Sequence, residues 1–343
     1  MSTDFAHLLT RYLGQYLPGQ RNLSTHTIQS YRDTFKLLLR FGQTKRGWVP
    51  DRITLADLDA EAIGDFLDWL ETVRHCSRST RNQRLAALRA FFRWVTYEKP
   101  ETLETVQRVL AIPWKKAPEP LVVYLSADAV HALLAQPDRQ TARGRRDAVL
   151  LALLYDTGAR VQEIIDLVVR DIRLQSPAVV TLKGKGAKRR EVPLMSATAT
   201  LVADYLTEHH LQPSNNANHP VFFNAQRRPY TRVGISYILR KYVRQLQAQG
   251  AMGFPESVTP HVLRHSKAVH LLQAGVNLIY IRDLLGHVDV STTQIYARID
   301  VEMRRRALET AKLPGTALSQ TSWVEDATLM EWLNHLTSGD TVR

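Results

Sequence analysis

Cysteine is almost absent from these 343 residues: Cys76 stands alone. A single thiol excludes an internal disulfide and a cysteine-based zinc site, and it suits a reducing compartment, where it packs as an ordinary buried side chain. No apolar run is long enough to span a bilayer, and the opening Met-Ser-Thr-Asp-Phe-Ala-His lacks the basic-then-apolar pattern of a secretory signal. The expected location is the cytoplasm. Carboxylates are not clustered at a spacing that would bind magnesium. No tandem repeat or low-complexity segment stands out beyond a short loop with Asn215, Asn216 and Asn218. Acidic side chains are the minority, 33 against 45 Lys+Arg, for a net charge of +12. The excess is spread over two stretches, 18 basic against 12 acidic residues up to position 118 and 22 against 15 from there to 300, whereas the remainder has 5 against 6. Two large basic segments suit a clamp around a polyanion, and the nearly neutral tail is not expected to touch phosphate. Charge alone would fit RNA or a membrane surface equally well.

A chain of this length is expected to form two domains, and the clearest seam is Ile112-Pro113-Trp114-Lys115-Lys116-Ala117-Pro118-Glu119-Pro120. Its three prolines resist helix and predict a stiff extended connector over 112–120. Before it, in residues 1–111, apolar residues recur at helical spacing: Ile28, Tyr31, Phe35, Leu38 and Leu39, then Ile63, Phe66, Leu67 and Leu70, then Leu85, Leu88, Phe91, Phe92 and Val95. This is the pattern of a helical bundle. Ser24 or Thr25 is the expected cap of its second helix and Ser77 or Ser79 that of its last. Arg89 and Arg93 project away from the face carrying Leu88, Phe91 and Val95, and Arg78, Arg81 and Arg84 stand near the start of the same helix. The five form a candidate nucleic-acid contact; a solvated charged face is the other reading.

Beyond the connector the pattern is mixed, and residues 121–313 read as one α+β domain. Ser126 starts a helix, Asp147 to Tyr155 is a nearly all-apolar and therefore buried one, and Val179 to Leu182 with Arg189 to Val192 reads as a hairpin around glycines. Helices are expected over 197–209, 232–248, 260–274, 277–285, 291–298 and 301–311. In the tail, 314–343, Leu329, Trp332, Leu333 and Leu336 follow the i, i+3, i+4, i+7 rule of an amphipathic helix. The fold class is mainly α with a small antiparallel β-sheet.

The densest signal is the run from Thr259 to Tyr296, reading Thr-Pro-His-Val-Leu-Arg-His, then Leu-Leu-Gly-His, then Thr-Thr-Gln-Ile-Tyr. A phosphodiester repels an attacking nucleophile, so its non-bridging oxygens must first be surrounded by fixed donors and positive charge. Arginine grips two oxygens at once and stays protonated, whereas lysine can surrender a proton and act as an acid. His261 and Arg264 are three positions apart, so on a helix they share a face and can address one phosphate. Pro260 fits the first turn of that helix and Thr259 its N-cap. A His261 and His265 zinc-peptidase reading fails, because the pair lacks the Glu of His-Glu-x-x-His and a third ligand.

At these residues the chain resembles the tyrosine recombinases, the integrases and Xer-like proteins of the lambda-integrase superfamily. The diagnostic motifs lie between 158 and 296. The first family arginine falls on Arg160 in Asp-Thr-Gly-Ala-Arg-Val-Gln-Glu, with Glu163 at the acidic position of that box. The hairpin lysine falls on Lys185 in Gly-Lys-Gly, although Lys183 and Lys188 compete for its role. His261 and Arg264 match the His-x-x-Arg box, His287 the Leu-Gly-His position and Tyr296 the nucleophile. Each has an ordinary reading when taken alone: Arg160 a surface residue near a helix end, Glu163 a first-turn acid facing the helix dipole, His287 a cap, Tyr296 a core ring. Their order and spacing together are what carry the likeness. One departure is Lys267, which puts charge where an apolar or aromatic residue is expected; it reads as an added phosphate contact or an exposed helix residue.

The resemblance implies a SAM-like helical core-binding domain followed by a DNA breaking-rejoining catalytic domain. It implies attack by Tyr296 on a scissile phosphate, a 3′-phosphotyrosyl intermediate, protonation of the leaving 5′ hydroxyl by Lys185, and no metal or other cofactor. The implied partner is double-stranded DNA of the nucleoid, held by a homo- or hetero-tetramer on two paired sites. The tail helix would dock on a neighbouring protomer or on its own domain. Two rival readings are a type IB topoisomerase, which acts on any duplex, and a DNA-binding regulator with a degenerate site.

Overall fold

The computed structural model describes residues 3–118, 122–184, 188–287 and 331. The expected helices over 291–298 and 301–311, the tail stripe, Lys185 and Tyr296 lie outside these. Contacts divide the chain into two compact units, Met1–Pro120 and Leu121–Arg343. Among the described residues no helix is long and apolar enough to cross a membrane.

The first unit is a helical bundle: α1 (Asp4–Arg11) running into a π-helical turn (Tyr12–Gln20), then α2 (Thr25–Lys45), α3 (Ala60–Thr72), α4 (Arg78–Glu98) and α5 (Leu103–Ala111). Each long helix starts where a side chain can accept from an otherwise orphaned backbone N–H: Ser24 from Thr27, Asp59 from Ala62 and Ser77 from Thr80. The core is aromatic. Phe91 lies edge-on to Phe35 at 5.1 Å and to Tyr12 at 5.2 Å between ring centroids, a geometry in which ring edges meet ring faces. Two turns of apolar pattern are too short a signal to announce α5, whose Val106 and Val109 are nonetheless fully buried.

The arginines of α4 need correction. Arg81 is only 4% exposed, and its guanidinium donates to the Pro113 carbonyl at 3.0 Å. Arg84 donates to the Ser30 carbonyl and the Thr34 hydroxyl of α2. Arg78 donates to the Lys116 carbonyl, Asn82 to that of Lys115, and Arg89 lies over the Trp114 ring at 5.0 Å. Because α4 packs against α2, α3 and α5, the side that a helical wheel leaves polar is taken up by the connector. The stiff segment at 113–116 is therefore strapped to the bundle, and of the five arginines only Arg78 and Arg93 stay exposed.

The second unit holds α6 (Ala127–Ala135), α7 (Ala142–Asp156), α8 (Val161–Ile165), strands β1 (Ile172–Arg173), β2 (Val179–Lys183) and β3 (Arg189–Pro193), then α9 (Ser196–Glu208), α10 (Pro213–Asn216), α11 (Arg232–Ala248), α12 (Pro260–Gln273) and α13 (Leu278–Leu285). The sheet is antiparallel in the order β1-β2-β3, with Leu182 opposite Arg190. Of its strands, β1 has two residues and no alternation to read. Helix α7 is buried from Ala148 to Leu154, and α12 packs on it. Where the two meet, the Lys267 ammonium pairs with Asp156 at 3.2 Å and lies 5.1 Å from the Tyr155 ring centre. Lys267 is thus not an exposed helix residue: its charge is paired with Asp156 inside the unit.

Candidate active site

Four elements of the second unit end at one place, and their caps build the site. Helix α7 stops at Gly158, whose left-handed φ of +55° turns the chain into α8. A Cβ there would sit 2.7 Å from a Leu285 methyl, which would have to shift, so both the backbone and the neighbour favour glycine. Arg160 is the N-cap of α8, and the Glu163 carboxylate reaches back to its backbone N–H at 2.8 Å. The same carboxylate accepts from the Arg160 guanidinium at 3.0 Å. Glu163 is therefore both a first-turn acid and a partner of the Arg160 guanidinium.

Arg264, on α12, is 3% exposed and donates to the Gly158 and Leu285 carbonyls, both at 2.6 Å. It ties the α7–α8 turn to the end of α13. That end is a Schellman cap: Gly286, at φ +65°, donates to the Asp283 carbonyl and His287 to that of Arg282. His287 is placed by this cap, and Arg160 reaches the Gly286 carbonyl at 3.2 Å. His261 stands one turn before Arg264, with Thr259 at the N-cap position and Pro260 at N1; the Thr259 side chain makes no capping bond.

The electrostatics follow from burying imidazoles and crowding cations around them. Burial, then Arg264, Arg160 and Arg190, push His287 down to about 4. Burial, then His261 and Arg264, do the same to His265. His261 is open to solvent on one side; desolvation of the other, then Arg264 and Arg160, hold it below the ordinary histidine range. At neutral pH these rings are uncharged and can take as well as give a proton. Arg160, Arg189, Arg190, Arg282, Lys188 and His287 line a cleft of about 390 Å³, with Asp283 as the one acidic residue among its described lining. Such a cleft is built for an anion. Lys183 is not among its described lining residues: its ammonium pairs with buried Asp171 at 2.9 Å.

Arg190 is a site residue that sequence reasoning missed. It forks onto Glu163 through two bonds of 2.9 and 2.7 Å, and its Nε donates to the Leu284 carbonyl at 2.7 Å. The available signal was strand alternation, which puts Arg190 on the same face of β3 as buried Val192.

Comparison with known proteins agrees with this arrangement. The Phage integrase family matches residues 123–303, and the Phage integrase N-terminal SAM-like domain matches residues 9–99. Tyrosine recombinase XerC of Rhodospirillum centenum is 36% identical over 314 residues, 90% of this chain and 87% of its own. Tyrosine recombinase XerD of Listeria innocua is 32% identical over 300 residues, 86% of this chain and 93% of its own. This chain belongs to the phage integrase family, the tyrosine recombinases. Its fold is also that of XerH site-specific recombinase bound to difH substrate, with a TM-score of 0.63 at 22% identity, covering 84% of this chain and 80% of that one. The enzyme is a tyrosine-type site-specific recombinase.

Proposed function

We propose that Tyr296 attacks a scissile DNA phosphate held by Arg160 and Arg264, forming a 3′-phosphotyrosyl bond as the P–O5′ bond breaks. The departing 5′ oxygen takes a proton from Lys185, while His261 and His287 accept and return protons around the phosphate. A tyrosine with an ordinary pKa near ~10 needs such help to ionise. The phosphotyrosyl bond conserves the energy of the broken one, so a partner strand's free 5′ hydroxyl can reverse the step and reseal the DNA without ATP. The observation that carries this reading is that Arg264 ties the turn carrying Arg160 to the α13 cap that ends at His287, with His261 one turn before Arg264 and a cationic cleft alongside. The first unit serves as the other half of the DNA clamp, and the full reaction runs on two paired sites held by four protomers. An apolar stripe at Leu329, Trp332, Leu333 and Leu336 is the feature that would link neighbours.

The test is to trap the protein covalently on genomic DNA, map the cleavage position, and repeat with Tyr296→Phe, which keeps the ring and removes the nucleophile. The expected outcome is loss of the adduct. Adducts that persist in this variant would assign the attack to another residue. Deletion of 324–343 tests assembly: unchanged synapsis of paired sites together with unchanged recombination would refute the linking role of the tail.

A further inference from the structure

Glu163 poses an electrostatic problem for the arginine it orients. Its carboxylate is buried, 3% exposed, and in direct contact with Arg160, so by itself it would cancel the charge that Arg160 offers a phosphate. A neutral pair at this position would present little field to an anion. The second guanidinium changes the balance. Arg190 covers both oxygens of Glu163, and its own side chain is only 12% exposed, against 34% for Arg160. One carboxylate thus lies between two guanidiniums, the trio keeps a net positive charge, and the more exposed member, Arg160, faces the cleft. Gly286 packs directly on the Arg190 side chain, where a Cβ would come within 2.9 Å of its Nη1, and Leu284 fixes its Nε.

We infer that Arg190 is a positioning and charge-balancing residue for the strand-cleavage step: it neutralises Glu163, so that Glu163 can hold Arg160 in place without quenching it. This inference rests on the reading of Arg160 as a phosphate ligand. It differs from a purely architectural role in one respect: removing the charge of Glu163 should remove the need for Arg190. Burial alone would raise the Glu163 carboxyl; the bonds and charge of Arg190, then the backbone N–H and charge of Arg160, overcome this and hold it below the ordinary carboxylate range.

The experiment compares single-turnover covalent-complex formation on a duplex carrying the genomic position at which the wild-type protein is trapped. The variants are Arg190→Met, Arg190→Lys, Glu163→Gln, the Arg190→Met and Glu163→Gln double variant, and Arg160→Ala, each with its melting temperature. Arg190→Met is expected to slow cleavage about 100-fold, the scale for losing one anion-stabilising group. Adding Glu163→Gln should recover at least about tenfold of that, and Arg190→Lys, which keeps the charge without the fork, should stay within about tenfold of wild type. A double variant no faster than Arg190→Met, or an Arg190→Met protein at the wild-type rate, overturns the inference. Should Arg190→Met melt below the assay temperature, Arg190→Lys decides: a folded Arg190→Lys protein slowed about 100-fold overturns charge balancing. If Arg160→Ala cleaves at the wild-type rate, the phosphate-ligand reading itself fails, which is a different result from any of these.

Discussion

Two glycines in the second unit share a left-handed backbone but not a neighbourhood, and their alanine variants separate conformational strain from site architecture. Gly275 has φ +82° and nothing within 4 Å of a built Cβ; Gly286 has φ +65° and meets Arg190 Nη1 at 2.9 Å and Cδ at 3.1 Å. Left-handed backbone costs an L-residue roughly 1–2 kcal/mol, so Gly275→Ala should destabilise by about that amount and no more. Gly286→Ala bears the same cost and must also displace Arg190. That weakens hydrogen bonds to a charged group, about 1.5–3 kcal/mol, for a total of about 2.5–5 kcal/mol. Equilibrium urea unfolding of the full chain, followed through the transition of the second unit, measures both. Cleavage provides the second reading: Gly275→Ala should cut at the wild-type rate, whereas Gly286→Ala should lose at least about tenfold because Arg160 and His287 are held at the same cap. Equal losses of stability in the two variants, or equal cleavage rates, would refute the claim that Gly286 is there to seat Arg190.

Other consequences are simpler to check. Arg81→Ala should lower stability by about 1–3 kcal/mol, because the Pro113 carbonyl loses its donor, without altering the salt dependence of DNA binding; Arg93→Ala, at an exposed position, should do the reverse and shallow the log Kd against log salt slope by roughly one unit, and a slope change in Arg81→Ala would restore it to the interface. Lys267→Met should destabilise by about 1–3 kcal/mol, because the buried Asp156 carboxylate keeps only the Met195 N–H as a partner among the described residues; a melting temperature equal to wild type would contradict the buried pair. Stability should fall with acid. His265 and His287 have folded values of about 4, below the unfolded value of about 6.5, so the unfolded chain binds more protons in between and stability is lost as pH drops through that window. Replacing both histidines with glutamine should flatten melting temperature against pH between about 6.5 and 4, and an unchanged slope would show that other groups govern it.

What the sequence made legible was local. The 3.6-residue periodicity of α2, α3 and α4, the serine caps of α2 and α4, and the glycine-flanked hairpin are written in neighbouring residues, so their positions could be read directly. Arg81, Lys267 and Arg190 were misread or missed for a common reason. Their partners lie 32, 111 and 27 positions away, at Pro113, Asp156 and Glu163, and periodicity carries no information about which distant group will meet a charge. Glu163 shows the same limit differently: its capping bond is three residues long and legible, but its pairing with Arg190 requires knowing that β3 passes the start of α8.

The same limit explains why stability and catalysis are hard to separate at this site and easy to separate elsewhere. Gly158, Arg160 and Gly286 are the turn after α7, the N-cap of α8 and the C-terminal cap of α13, and every one of them also supplies or seats an arginine of the site. Helix ends leave backbone carbonyls and N–H groups without partners, so they are where a buried guanidinium can be held at fixed geometry by the main chain alone. Arg264 uses two such carbonyls, Arg160 one, and Arg190 one. Anchoring to carbonyls adds no opposing formal charge, so it orients a cation without neutralising it. Glu163 is the exception, a full negative charge among these anchors, and it is also where a second arginine is found.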